Sequence, residues 1–181
     1  MQEEMEAHFH TRTNKHITSV MDNAMKLVKI RPELLELLEQ VDTHDQSKFE
    51  SPEYDNYIYI AWHYKCKKEG IVYKIPDEID DHFATYHHVK HNKHHPEFWD
   101  DYTTPEAINR DNRHAAGETI VNGKLMPDIS LAEMACDWSA VAQELGTDVY
   151  DWGKTNINIR WEFTPEQEAF IYQCLDDIWD N

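Results

Sequence analysis

The chain has 181 residues, 40% of them hydrophobic and 12% aromatic, enough for one ordinary domain with its own core. Asp plus Glu number 35 against 17 Lys plus Arg, a formal charge of -18, and such a surface repels a phosphate backbone, which argues against duplex nucleic acid as a partner. No apolar run approaches the ~20 residues of a membrane helix, and the acidic opening MQEEMEAHFH is not a signal peptide, so a cytoplasmic setting without a membrane is expected.

The apolar spacing is mostly helical. Residues ~3 to 29 carry Ile17, Val20, Met21, Ala24 and Val28 in one stripe. Pro32 suits the first turn of a second helix, which runs through Leu34, Leu37, Leu38 and Val41 toward His44. Ser51-Pro52-Glu53 opens a third, holding Ile58, Ala61 and Trp62 and ending before Gly70. A fourth is expected from Pro76, with an acidic first turn that complements the helix dipole. Its apolar face is read as Ile79, Phe83 and Tyr86.

After Thr104-Pro105 comes a polar connection with a turn expected at Asn122-Gly123. A further helix runs from Asp128 or Ser130 to Gly146, TNINIRWEF is a short extended piece, and Thr164-Pro165-Glu166 caps a last helix. The sum is an all-α single domain over 1–181 with six or so helices. Cys66, Cys136 and Cys174 are far apart, odd in number and without a C-x-x-C, so they are read as reduced core thiols.

The stretch THDQSKF, residues 43 to 49, holds the adjacent pair His44-Asp45 and then Lys48. On a helix these three project together, continuing the Leu37/Val41 core face. Buried groups of this kind need partners. Either they pair with each other and the backbone, or they hold a cation, for which imidazole and carboxylate suit divalent transition metals.

HDQSK matches the His-Asp-x-x-Lys signature of the HD-domain superfamily, and the chain resembles those all-helical, metal-dependent phosphohydrolases over some two-thirds of its length. The resemblance implies an upstream histidine, here His16, and a late aspartate, here Asp137, joining His44 and Asp45 on one ion. It implies that Lys48 assists charge on a substrate phosphate. The patterns KHI..V, HDxSKF, HHxxxNxHHPEFW and MACDW also look like a small uncharacterised family of bacteria and their phages, which brings no known activity.

Five of twelve histidines lie between residues 87 and 95. Some HD proteins place two extra histidines between the HD pair and the last aspartate, where they bind a second metal. Helix phase leaves His87, near the edge of the apolar face, and His88, opposite it, both open. Pro96 puts a bend between the two HH pairs. The resemblance favours His88 with one of His94 and His95. On that basis His88 and His95 stand as second-metal ligands and His94 as a phosphate contact or proton donor. Arg110 and Arg113 are either loop salt bridges or a grip on substrate phosphate.

The expected function is hydrolysis of a nucleotide or other small phosphoester, with one or two divalent ions among Mn, Fe, Zn, Co and Ni. A di-iron oxygenase uses the same ligands and is the first alternative. A non-catalytic, metal-stabilised binding protein is the second. A small phosphorylated substrate is the expected partner, and a homo-oligomer is left open.

Overall fold

Helix α1, Gln2–Ile30, is the longest described element, and it packs against four other helices and a 3-10 turn. The computed structural model describes residues 2–105 and 120–180. Along α1 the buried positions Met5, Phe9, Thr13, Val20, Asn23, Ala24 and Leu27 recur at helical spacing, so one stripe faces inward over the full length.

That stripe serves two apolar clusters. Val20, Ala24 and Leu27 join Leu37 and Val41 of α2 (Leu37–Val41), Leu131, Met134 and Ala135 of α6 (Asp128–Leu145), and Ile171, Leu175 and Ile178 of α8 (Pro165–Trp179). Met5 and Phe9 instead pack with Ile58, Ala61, Trp62 and Cys66 of α3 (Tyr54–Lys68). Fully burying a side chain of this size contributes about 1.5–3 kcal/mol. His16 falls between the two clusters, at the middle of α1, where the inward stripe turns polar.

Short elements complete the frame: α4 (Asp81–His91), α5 (Pro96–Trp99), α7 (Val149–Asn156), and the two-residue strands β1 (Val121–Asn122) and β2 (Trp161–Glu162), which pair in parallel. The fold is all-α. Thr164 and Gln167 form a reciprocal capping box at the start of α8, and Gly146, at φ +66°, ends α6 in the left-handed conformation that glycine adopts freely. Among the described residues no helix is long and apolar enough to cross a membrane. All three cysteines are buried and free.

Several expected boundaries move. The second helix breaks into a 3-10 turn, Pro32–Leu34, and α2, which stops at Val41. His44, Asp45 and Lys48 therefore do not continue its face. The chain reverses at Asp45, whose φ of +59° is left-handed, and a 3-10 turn follows over Gln46–Phe49. A short polar side chain makes Asp one of the few residues that tolerate this conformation.

The fourth helix starts at Asp81 and not at Pro76. The Asp80 side chain accepts from the Phe83 N–H and sets the start there. The segment after Gly146 holds α7, capped by Asp148, and only Trp161–Glu162 of the expected extended piece is strand. The turn near Asn122-Gly123 lies one step later, closed by the Met126 N–H donating to the Gly123 carbonyl at 3.0 Å. Gly123 is needed there, because a Cβ would stand 2.5 Å from the Phe163 ring.

Candidate metal centre

Three elements bring the first group of side chains together. His16 comes from the polar middle of α1, His44 and Asp45 from the turn after α2, and Asp137 from α6. His16 Nε2 lies 3.0 Å from Asp137 Oδ1, 3.6 Å from Asp45 Oδ2 and 3.4 Å from His44 Nε2. His44 Nε2 lies 3.7 Å from Asp45 Oδ2 and 3.8 Å from Asp137 Oδ1. Lys48 Nζ donates to Asp45 Oδ2 at 2.5 Å.

The left-handed turn at Asp45 produces this convergence. It sends His44 back toward α6 while the Asp45 carboxylate faces α1 and α4 together. His44 and Asp45 are both about 1% exposed, while the side chains of His16 and Asp137 keep 11% and 17%, so the group has one open edge, between α1 and α6.

A second group lies on the other side of Asp45. His88 Nε2 is 3.1 Å and His94 Nε2 3.9 Å from Asp45 Oδ1. One ligand atom each from His88, His94 and His95 lies within 4.8 Å of the other two. Contrary to the phase read from the sequence, Phe83 is 47% exposed and Ala84, Thr85, His88 and Val89 form the buried face of α4. His88 thus points inward. His87 points partly outward and stacks on His91 with ring centroids 3.8 Å apart. The helix ends at His91, so His94 and His95 approach from a separate turn before Pro96.

Two glutamates orient these rings. Glu133 Oε1 accepts from His44 Nδ1 at 2.8 Å and lies 3.3 Å from His94 Nδ1; its other oxygen accepts from Gln40 at 2.6 Å. Glu53 accepts from His87 Nδ1 at 2.8 Å and from His88 Nδ1 at 2.9 Å. When a carboxylate accepts a hydrogen bond from the Nδ1–H of a neutral imidazole, the Nε2 lone pair is left facing the centre. His88 Nε2 and Asp45 Oδ1 then stand as two acceptors 3.1 Å apart, which is a stable arrangement only with a cation or proton between them. Asp45 Oδ1 and His95 Nε2 are buried without a hydrogen-bond partner, and such orphans are costly unless a ligand satisfies them.

The electrostatics agree. Burial opposes the charge on Asp45, but Lys48 first, then His44 and His88, hold its carboxyl well below the usual range. Burial likewise opposes ionisation of Glu133, and the bonds from His44 and His94 outweigh it and bring it to about 2. Burial, and then His94 and His88, push His95 well below the ordinary imidazole range, which keeps it neutral, the form that ligates metals. Burial opposes the charge on His44, but Asp45 and the bond to Glu133 raise it above the ordinary imidazole range. Even with His44 charged, the carboxylates of Asp45, Asp137, Glu53 and Glu133 outnumber the cations His44 and Lys48 and leave a net negative charge to be balanced.

Glu53 and Glu133 were not found by sequence reading. Glu133 is four residues before Asp137 on an otherwise small and apolar helix, and that spacing was the available signal; Glu53 offered none. Arg110, Arg113 and His114 lie outside the described residues. Trp138, beside Asp137 on α6, is buried and stacked on Trp161. His8 and His10 are half-buried, and His10 is 3.0 Å from the Tyr54 hydroxyl.

Glu133→Gln removes the charged acceptor for His44 and His94 but preserves shape. It is expected to weaken metal binding about 10- to 100-fold, read by equilibrium dialysis; affinity equal to wild type would count against the orienting role.

These features define an all-α protein whose buried imidazole–carboxylate cluster could hold a metal ion. Over residues 5–177 the chain matches the model of a family of unknown function, DUF5662, and it belongs to that family. No curated protein and no solved structure matches it.

Proposed function

We propose that the protein is a metal-dependent phosphohydrolase of HD-domain type, acting on a nucleotide or another small phosphoester. The observation that carries this reading is that His16, His44 and Asp45 each bring a ligand atom within 4.8 Å of the other two beside the Lys48 ammonium, with Asp137 Oδ1 reaching the His16 and His44 Nε2 atoms at 3.0 and 3.8 Å. A divalent ion held by these four atoms would supply an activated water and would stabilise charge on phosphoryl oxygens. Lys48, whose ammonium bonds Asp45 Oδ2 and whose side chain is 19% exposed, would add positive charge for a substrate phosphate beside the ion. Glu133 and Glu53 keep the imidazole lone pairs aimed inward.

His88, His94, His95 and Asp45 Oδ1 form the donor set for a second ion. His94 is 2% exposed and lies between the rings of His44 and His95, at 4.2 and 4.1 Å. That position suits a ligand better than the proton donor expected from the sequence. The second donor set is also the observation that favours a di-iron oxygenase as the alternative.

The test begins with metal analysis of the protein as purified, followed by a nucleotide and phosphoester panel with that metal restored. Metal-dependent phosphate release is the expected result. Iron with a mixed-valence EPR signal, and no phosphate release, would favour the oxygenase.

A further inference from the structure

The open edge of the cluster is formed where α1 meets α6. His16 and Asp137 stand there, and the same two helix faces carry a second couple. Arg12 is four residues before His16 on α1, and Glu144 is seven residues after Asp137 on α6; both spacings keep a residue on its helix face. The Arg12 guanidinium holds the Glu144 carboxylate with both arms, Nε to Oε1 at 3.0 Å and Nη2 to Oε2 at 3.4 Å. Further along the same two helices Asn23 donates to the Cys136 carbonyl and to Gln143 and accepts from Gln143.

We propose that Arg12 is a specificity-determining residue that binds a second anionic group of the substrate, so that the preferred substrate carries two adjacent phosphates and not one. This rests on the phosphohydrolase reading for the first phosphate and adds a claim about the second. Residues four apart on a helix have side-chain origins about 5–6 Å apart, a gap that the Arg12 stem can span when its head swings from Glu144 toward a phosphate adjoining the one at His16. Helical side chains lean toward the N-terminus, so Arg12 at rest lies away from His16 and against Glu144.

The pair is exposed, 42% on the Arg12 side and 27% on the Glu144 side. Exposed ion pairs of this kind contribute little to stability, so exchanging Glu144 for a phosphate costs little. A guanidinium is also the group that grips phosphate with two parallel bonds. In a chain with twice as many acids as bases, an arginine on this rim offsets the repulsion that Asp137 and Glu144 would otherwise exert on an anionic substrate.

The experiment is calorimetry on the Mn-loaded full chain with two non-hydrolysable probes, methylenediphosphonate and methylphosphonate. Metal content is checked before and after each titration, because a diphosphonate also chelates. Arg12→Ala is expected to weaken methylenediphosphonate at least about tenfold and methylphosphonate less than about twofold. Glu144→Gln frees Arg12 without removing it and is expected to tighten the diphosphonate a few-fold. Equal effects of Arg12→Ala on both probes, or none on either, would overturn the inference; so would weaker diphosphonate binding by Glu144→Gln. Release of phosphate from monophosphates that is indifferent to Arg12 would remove this inference and leave the hydrolase. Arg12-dependent diphosphonate binding without turnover of any phosphoester would support the anion subsite and remove the hydrolase.

Discussion

Asp45→Asn is expected to abolish metal binding and to make the protein melt as the chelated wild type does. The two oxygens of Asp45 face separate groups of imidazoles, Oδ2 toward His16 and His44, Oδ1 toward His88 and His94. Asparagine keeps the aspartate volume and tolerates the left-handed φ of +59°. The substitution therefore removes the charge without disturbing the turn. A ligand present at a thousand times its Kd stabilises the folded state by about 4 kcal/mol. In a domain of this size each kcal/mol shifts Tm by roughly 2–4 °C, so chelation should lower wild-type Tm by roughly 8–16 °C. The variant should start from the lower value and ignore chelator. Asp45→Ala should fall further, by about 1–2 kcal/mol, because alanine carries the left-handed penalty. If the Asp45→Asn protein kept its ions and still lost stability to chelator, the metal reading of this cluster would be removed.

The second large effect is on stoichiometry. His88→Ala with His95→Ala takes two of the four donors from the group around Asp45 Oδ1 and none from the group around Oδ2. Bound metal is expected to drop from two ions per chain to one, with the remaining ion held as in wild type. His91→Ala is the control, since His91 is exposed and its Nδ1 donates to the His87 carbonyl of its own helix; two ions should remain. Inductively coupled plasma measurements on dialysed protein give the count. One ion in both wild type and the double variant would reassign the 87–95 histidines to substrate contacts. The oxygenase alternative would then lose its support.

The parts of this site that were legible in the sequence are those whose signal is local. An apolar stripe at helical spacing located α1, and the HD-domain resemblance pointed to His16 within it. Residue type and position at the end of an apolar stripe picked out His44 and Asp45, because few side chains bind metals, while Asp137 followed from the resemblance, as the aspartate within MACDW. Thr164-Pro165 announced the start of α8, since a cap needs only the residues beside it. The parts that were illegible depend on what lies opposite. Phe83 and Tyr86 looked like the apolar face of α4, but α4 packs by Ala84, His88 and Val89, and no feature of its own eleven residues states which face meets α3.

By itself, then, the sequence determined an all-α chain, the positions of its longest helices and the inventory of imidazoles and carboxylates able to bind an ion. Only the tertiary structure decided that Asp45 sits in a left-handed turn between two imidazole groups, that His88 and not His87 points inward, and that Glu53 and Glu133 hold the rings. The physical reason is that donor chemistry belongs to a residue, whereas the direction of a lone pair is set by groups 35 to 89 positions away in the chain, brought together by the burial of α1 against α3, α6 and α8.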